Sequence, residues 1–156
     1  MIERLLPGQA DNGFAGHRAA LWLLGLYVAL KLVMAFNSIF NTAGVAAGAD
    51  GIALASFGPD AAREVLTLFA LTALGQLVLA LIALTILVRY RALVPFIFLA
   101  LLAEQVARRF IVEARALART DAASTGTYIN YAILALLAAG LVLSLLRGKR
   151  TSHAPR

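Results

Sequence analysis

The chain has 156 residues, 62% of them hydrophobic and only 14% charged, with a formal net charge of +6 and a mean hydropathy of +0.85. A soluble domain carries roughly 25% charged residues, so this chain could not cover a soluble core, and the lipid bilayer is its expected surrounding. The lack of cysteine excludes disulfides, thiolate metal sites, iron–sulfur clusters and thiol catalysis. Basic residues are expected at span ends for topology, so no nucleic-acid partner is predicted.

Hydropathy predicts four membrane-spanning helices in a single domain, residues 1–156. The spans are predicted over about residues 19–40, 61–88, 92–112 and 128–146. Each apolar run is near the length of about 20 residues that a helix needs to cross the hydrocarbon core. The predicted fold class is therefore all-α, a bundle of four transmembrane helices.

Two further segments lie between or beyond these spans. Residues 41–60 are rich in small residues, with Asp50-Gly51 as a turn signal, and we expect a loop that lies on the membrane surface. The third helix is expected to continue past the bilayer as a charged extension over residues 108–119, supported by the Arg109/Glu113 pair at i,i+4 spacing.

The basic residues predict the orientation of the bundle. With both termini in the cytoplasm, that side holds Arg4, Arg18, Arg89, Arg91, Arg147, Lys149, Arg150 and Arg156, and the opposite side holds Arg63, Arg108, Arg109, Arg115 and Arg119. The excess on the terminal side agrees with the positive-inside rule. We therefore expect both termini to be cytoplasmic.

Three spans place a polar side chain at one depth. Counting 1.5 Å per residue, Lys31, Gln76 and Glu104 each lie about 18 Å from the cytoplasmic face. A lone charge at that level costs at least about 2.5–3.5 kcal/mol on insertion scales. We therefore predict a polar core in which Lys31 pairs with Glu104 and Gln76 hydrogen-bonds to either, while Arg108, one turn from Glu104, competes for its carboxylate. Gln105 belongs to the same group.

Helical spacing predicts which faces meet inside the bundle. Tyr27, Lys31, Met34, Ser38 and Asn41 share one face of the first helix. Tyr27 and Trp22 also lie towards the first end of that helix, where interfacial aromatics are common. On the fourth helix, Ala132, Ala135 and Ala139 form a strip of small residues suited to close packing.

A second polar layer is predicted nearer the outer surface. It contains Asn37, Arg109 and Asn130, together with Arg108, and lies about 24–27 Å from the cytoplasmic side. The arginines of this region either bind an anionic lipid headgroup or an acidic partner, or form a solvated helix end. Arg108 can also extend along its own helix towards the headgroups.

Several chemistries lack the residues that they need. His17 and His153 both lie outside the predicted spans, so two axial histidines within the bundle are not expected and a haem site is disfavoured. No zinc-protease, nucleophile-elbow, Walker or dinucleotide-binding pattern occurs in a suitable context. No cofactor and no metal is predicted.

The four short spans, Ala49-Asp50-Gly51, the RYRALVP segment at 89–95 and the EQ..RR run at 104–109 together resemble small bacterial inner-membrane proteins of the DoxX-like group. The resemblance covers the general layout of the spans. It implies a multi-pass four-helix bundle in the bacterial plasma (inner) membrane, and it transfers no functional residue.

Three hypotheses about function follow. The first is a non-enzymatic accessory or assembly component of a membrane complex, with a membrane-protein partner or a second copy of itself. The alternative is a small transporter or ligand-binding protein that uses Lys31 and Glu104 at mid-membrane. The third is an enzyme acting on lipid or quinone, in which Arg108 and Arg109 hold an anionic group. The third requires a cavity that opens beside Arg108.

Overall fold

A computed structural model describes residues 5–115 and 123–146. Within these ranges the chain forms helices α1 (Ala19–Phe40), α2 (Thr42–Gly48), α3 (Pro59–Arg89), α4 (Val94–Ala114) and α5 (Ala123–Leu145), with short 3-10 turns at Leu54–Ser56 and Arg91–Leu93. No strand occurs in the described part. The all-α prediction is confirmed.

The helix bounds differ from the predicted spans where local residues shift a terminus. α1 matches residues 19–40, whereas α3 begins two residues before 61, because Pro59 has the fixed φ that suits a first helical position. α4 begins after a 3-10 turn and has Pro95 in its first turn, where the missing N–H costs no helical hydrogen bond. α5 begins at Ala123, five residues before 128. The predicted extension beyond Arg115 and the basic tail lie outside the described residues.

The four long helices run alternately up and down. At one end, the His17 N–H donates to the Leu143 carbonyl at 3.0 Å, and the Ala92 N–H donates to the Asp11 carbonyl at 3.2 Å. These bonds place residues 11–18 against the end of α5 and the α3–α4 turn; we call this the terminal end. We call the opposite end of the bundle the α2 end. There a Cβ on Gly126 would contact the Ala49 carbonyl oxygen, so the start of α5 lies directly beside the end of α2.

A close-packed apolar core fills the bundle towards the terminal end. Its buried members include Ala20, Leu24, Ala83, Ile86, Val94, Ile97, Phe98 and Leu137. Alanines on α3 let it approach α1 closely, and the Phe98 ring occupies the space where a Cβ on Gly140 would lie. The predicted alanine strip at Ala132, Ala135 and Ala139 does not take part, because it lies on the exposed face of α5.

Large apolar side chains also cover the outside of the bundle. Trp22, Val33 and Phe40 on α1, Leu68 and Val88 on α3 and Phe110 on α4 are all more than half exposed. Soluble proteins rarely expose so many together, whereas lipid covers them without cost. Three described helices are long and apolar enough to cross a membrane: α1, α3 and residues Gly126–Leu145 of α5. These features indicate a membrane protein.

α4 differs from the other three long helices. Its first half is apolar, but Glu104, Arg108, Arg109 and Glu113 interrupt the second half, and it is not among the three candidate spans. It still packs within the bundle, since Val94, Ile97, Phe98 and Leu101 on one face are buried.

The segment between α1 and α3 is more ordered than a plain loop. It holds the short helix α2, then a turn at Gly51, whose φ of 65° favours glycine, and then the 3-10 turn at Leu54–Ser56. The Ile52 N–H donates to the Ala46 carbonyl at 2.9 Å and folds the chain back over the end of the bundle.

Candidate functional site

A cavity of about 310 Å³ lies between the four long helices, towards the α2 end. Its polar lining includes Lys31, Gln76, Gln105, Arg108, Arg109 and Asn130. Its apolar lining includes Met34, Ala35, Phe69, Ala73 and Val112. The cavity therefore combines a hydrocarbon wall with several polar groups, and this mixture is typical of small-molecule sites.

One hydrogen-bonded chain crosses the floor of this cavity and joins α1, α3 and α4. The Lys31 ammonium donates to Gln76 Oε1 at 2.9 Å, and Gln76 Nε2 donates to Glu104 Oε1 at 3.0 Å. Arg108 donates to the same carboxylate oxygen through Nε at 2.9 Å and Nη2 at 2.5 Å. We call these four residues the floor network. Because an ammonium only donates and a carboxylate only accepts, the orientation of the Gln76 amide is fixed.

The floor network differs from the predicted direct pair of Lys31 and Glu104. Lys31 and Glu104 face each other at a shared level, but the predicted direct pair is replaced by a bridge through Gln76. Arg108, the predicted competitor, holds the carboxylate as an i,i+4 ion pair. The physical reason is distance along the helix: Arg108 is one turn from Glu104 on α4, whereas Lys31 reaches across from α1.

Lys31 is enclosed although it carries a charge. It is only 7% exposed, and its ammonium lies 5.8 Å from the centre of the Tyr27 ring. Such an arrangement gives a weak cation–π attraction. Tyr27 is itself buried at 2% exposure, in agreement with the predicted face that it shares with Lys31, whereas Trp22 is 82% exposed.

A second chain joins α4 and α5 beside the cavity. Asn130 Nδ2 donates to the Gly126 carbonyl at 2.8 Å, and Gln105 Nε2 donates to Asn130 Oδ1 at 2.9 Å. Because the Gly126 carbonyl can only accept, Asn130 must direct its NH2 group to it. Asn130 Oδ1 is then the acceptor for Gln105, which fixes the orientation of the Gln105 amide as well. Gln105 Oε1 is then left as a buried acceptor without a donor among the described groups.

The residues of the predicted outer layer do not form one cluster. Arg109 donates to Glu113 at 2.6 Å and to the Tyr131 hydroxyl at 2.9 Å, with its guanidinium 4.7 Å from the Tyr131 ring centre. Asn130 instead bonds to Gln105. Asn37 lies on the exposed face of α1, away from the cavity lining. Asn37 is one residue before Ser38, and a step of one residue rotates a side chain by about 100° around the helix.

The rim of the cavity contains residues that the sequence analysis did not select. Asp50 and Ile52 line it from the segment after α2, and Phe69 lines it from α3. In the sequence, Asp50 indicates only a turn together with Gly51. Nothing in its sequence context indicated that the turn would fold back over the bundle, because that position depends on the Ala46–Ile52 backbone bond.

The charges of the floor are unequal. The floor network holds two cations, Lys31 and Arg108, against one carboxylate, Glu104. Arg109 has its own carboxylate in Glu113. Glu104 Oε2 is a second buried acceptor without a hydrogen-bond partner among the described groups. In residues 5–115 and 123–146 no group of three acidic or histidine side chains is arranged to hold a metal ion.

Comparison with protein-family models, curated proteins and solved structures finds no match for this chain. Its function must therefore be inferred from its own geometry. That geometry describes a helical membrane protein with a polar cavity between its long helices.

Proposed function

We propose that this protein is a ligand-binding integral membrane protein whose small, partly apolar ligand occupies the cavity between α1, α3, α4 and α5. The observation that carries the proposal is the cavity itself, which is lined by the buried Lys31 and by Gln105, whose Oε1 has no hydrogen-bond partner among the described groups. Its volume lies at the lower end of the range for ligand pockets, about 300–1,000 Å³.

A polar core with a purely structural role would be expected to leave no buried acceptor unpaired. Buried polar groups in proteins nearly always have partners, and a partly satisfied network is less stable than an apolar core. Here a space of about 310 Å³ is lined by Gln105, and Gln105 Oε1 is a buried acceptor without a partner among the described groups. A ligand that supplies a donor removes that deficit. This argument favours the ligand-binding hypothesis over the accessory role that needs no cavity.

The topology forms part of the same proposal. α4 is the fourth crossing, since a short turn joins it to α3 and its apolar face packs inside the bundle. With both termini cytoplasmic, the α2 end and the mouth of the cavity face the outside of a bacterial inner membrane. Membership of the DoxX-like group is a proposal supported only by the resemblance in layout.

The accessory or assembly role is the second candidate. It is supported by the charged side chains that α4 exposes beyond the cavity, such as Glu113 at 57% side-chain exposure. A membrane-protein partner or a second copy of the chain would contact them. The enzyme hypothesis requires a cavity beside Arg108, and Arg108 and Arg109 both line this one. Each arginine is already paired with a carboxylate, however, so neither is placed to hold an anionic group.

Extraction in mild detergent followed by mass spectrometry tests the ligand-binding proposal. The wild-type protein is expected to retain a small molecule. Ala73→Phe, which fills the cavity from α3, is expected to lose it, because Ala73 lines the cavity and is 6% exposed. Leu81→Phe, at a lipid-exposed position of the same helix, is the matched control and keeps the ligand. Equal retention in all three proteins, or no small molecule in any, contradicts the proposal.

Glu104→Gln separates the two candidate functions. If the cavity serves transport or binding, the folded variant remains in the membrane and its ligand retention or uptake differs from that of the wild type, because the charge beside Lys31 has changed. If the polar core is only structural, the same variant shows lower yield and stability, and a binding partner identified by cross-linking is unchanged.

A further inference from the structure

We infer that the ligand of this cavity is an amphipathic anion that also carries a hydrogen-bond donor, with its anionic group on the Lys31 ammonium and its donor on Gln105 Oε1. This inference rests on the proposed function and adds the chemical class of the ligand. The class includes hydroxy- and amino-carboxylates with a short hydrocarbon part, and headgroups of single-chain lipids that have the same two groups.

The anionic group of the ligand is inferred from the hydrogen bonding and burial of Lys31. An ammonium has three donors, and the one side-chain acceptor that Lys31 contacts among the described residues is Gln76 Oε1, a neutral amide. Lys31 lines the cavity and is only 7% exposed, so its charge has little access to bulk water. A charge held in such a place is strongly stabilised by an opposite charge.

The other cations of the site are already paired. Arg108 makes its ion pair with Glu104, and Arg109 makes its ion pair with Glu113. Glu104 is in turn held by both Arg108 and Gln76, which leaves the floor network with one positive charge more than negative. The remaining acid of the lining, Asp50, lies at the rim after α2. A single anionic group on the ligand balances the floor.

The donor part follows from the orientation of Gln105. Its Nε2 is committed to Asn130, whose own amide is oriented by the Gly126 carbonyl, so Gln105 presents Oε1 as a buried acceptor. An anion cannot donate to this oxygen. A hydroxyl or amine on the same ligand can, and a buried acceptor left unsatisfied costs about 1–3 kcal/mol. Met34, Phe69 and Val112 supply the apolar surface for the hydrocarbon part.

Equilibrium dialysis with three labelled eight-carbon compounds tests the inference. The full chain in nanodiscs of zwitterionic lipid is dialysed against octanol, octanoate and 2-hydroxyoctanoate, and binding to empty nanodiscs is subtracted. Octanoate is expected to bind about tenfold or more tightly than octanol, because the added bond is charge-assisted. The 2-hydroxyl group is expected to add a further gain of about fivefold, the size of one neutral hydrogen bond.

Two variants assign these gains to residues. Lys31→Met keeps an unbranched side chain one atom shorter and without the charge, and it is expected to abolish the preference for octanoate over octanol. Gln105→Leu is expected to abolish the gain from the 2-hydroxyl group and to leave octanoate binding intact. Arg63→Met is the matched control: it removes a cation from the exposed start of α3, where Arg63 pairs with Asp60, and keeps both preferences.

The outcomes separate the inference from the proposed function. Octanol bound as tightly as octanoate would leave a ligand-binding protein and overturn the anion site, as would an unchanged preference in Lys31→Met. If Lys31→Met does not fold, Gln105→Glu replaces it, and that variant must weaken octanoate but not octanol. Competition by lysophosphatidic acid alone indicates a lipid source for the ligand, and competition by glycerol 3-phosphate indicates a soluble one; either supports the shared chemistry.

Discussion

The half of the bundle near the chain termini is filled by apolar side chains, whereas the half near α2 holds a cavity and two hydrogen-bonded chains. In the terminal half, Phe98 and Leu137 are fully buried, and Phe98 fills the space beside Gly140. In the α2 half, the buried Lys31 and Gln105 face open space. Both halves are built from the same four helices.

This difference indicates a division of roles along the helices. Close packing supplies most of the stability of a membrane bundle, because lipid tails provide little hydrophobic drive for helix association. The cavity lacks that packing, so the stability of the α2 half depends on polar bonds and on the folded segment around Gly51. We expect changes in the terminal half to affect stability most, and changes in the α2 half to affect ligand binding most.

The largest expected effect is the loss of packing in the terminal half. Phe98→Ala should destabilise the protein by about 3–5 kcal/mol, the range for a buried aromatic truncated to alanine. Phe110→Ala, the same substitution on the same helix at a position 71% exposed, is the control and should have little effect. Unfolding in mixed detergent micelles, followed by circular dichroism, measures both. Similar losses for the two variants would break the comparison.

The floor network should give the next largest effect. Gln76→Leu leaves Lys31 without its acceptor, whereas Glu104 loses one donor but is still held by Arg108. The main loss is therefore one bond to a charged group, about 1.5–3 kcal/mol. The variant should be less destabilised than Phe98→Ala but should lose octanoate binding. Thr85→Val on the same helix, where the hydroxyl bonds only to the Leu81 carbonyl, serves as the control. If octanoate binding survives in Gln76→Leu, the floor is not part of the ligand site.

The turn over the cavity should show a smaller effect. Gly51→Ala places a side chain at φ 65°, which should destabilise the protein by about 1–2 kcal/mol. Gly48→Ala, three residues earlier in α2 with open space around its Cβ position, should be neutral or slightly stabilising. The same unfolding assay compares the two. A neutral Gly51→Ala would mean that the folded segment does not depend on the left-handed turn.

The smallest expected effect lies near the end of α4, beside α5. Tyr131→Phe removes the hydroxyl that accepts from Arg109 but keeps the ring below the guanidinium, so the loss should be about 0.5–1 kcal/mol. Tyr128→Phe, at an exposed hydroxyl on the same helix, is the control. Octanoate binding should be unchanged in both, because Arg109 is already paired with Glu113. A clear loss of binding in Tyr131→Phe would extend the ligand site outwards.

Much of the fold could be predicted because hydropathy and helical rise are local properties. The bounds of α1 follow from its uninterrupted apolar run, and the common level of Lys31, Gln76 and Glu104 follows from 1.5 Å per residue. Rotation about each helix axis was harder to predict. Depth alone places Asn37 with Arg109 and Asn130, and spacing predicts close packing for the alanine strip at Ala132, yet both lie on exposed helix faces. Sequence spacing shows which residues share a face but not which face meets a neighbour.

Composition and helix geometry were enough to predict the membrane class, the helical architecture and the common level of Lys31, Gln76 and Glu104 along their helices, because these properties act on each segment alone. The packing of the helices against one another places Gln76 between Lys31 and Glu104, buries Gln105 Oε1 without a partner among the described groups, and leaves a cavity between the helices. These features depend on how side chains from separate helices fill a shared volume, and no single segment contains that information.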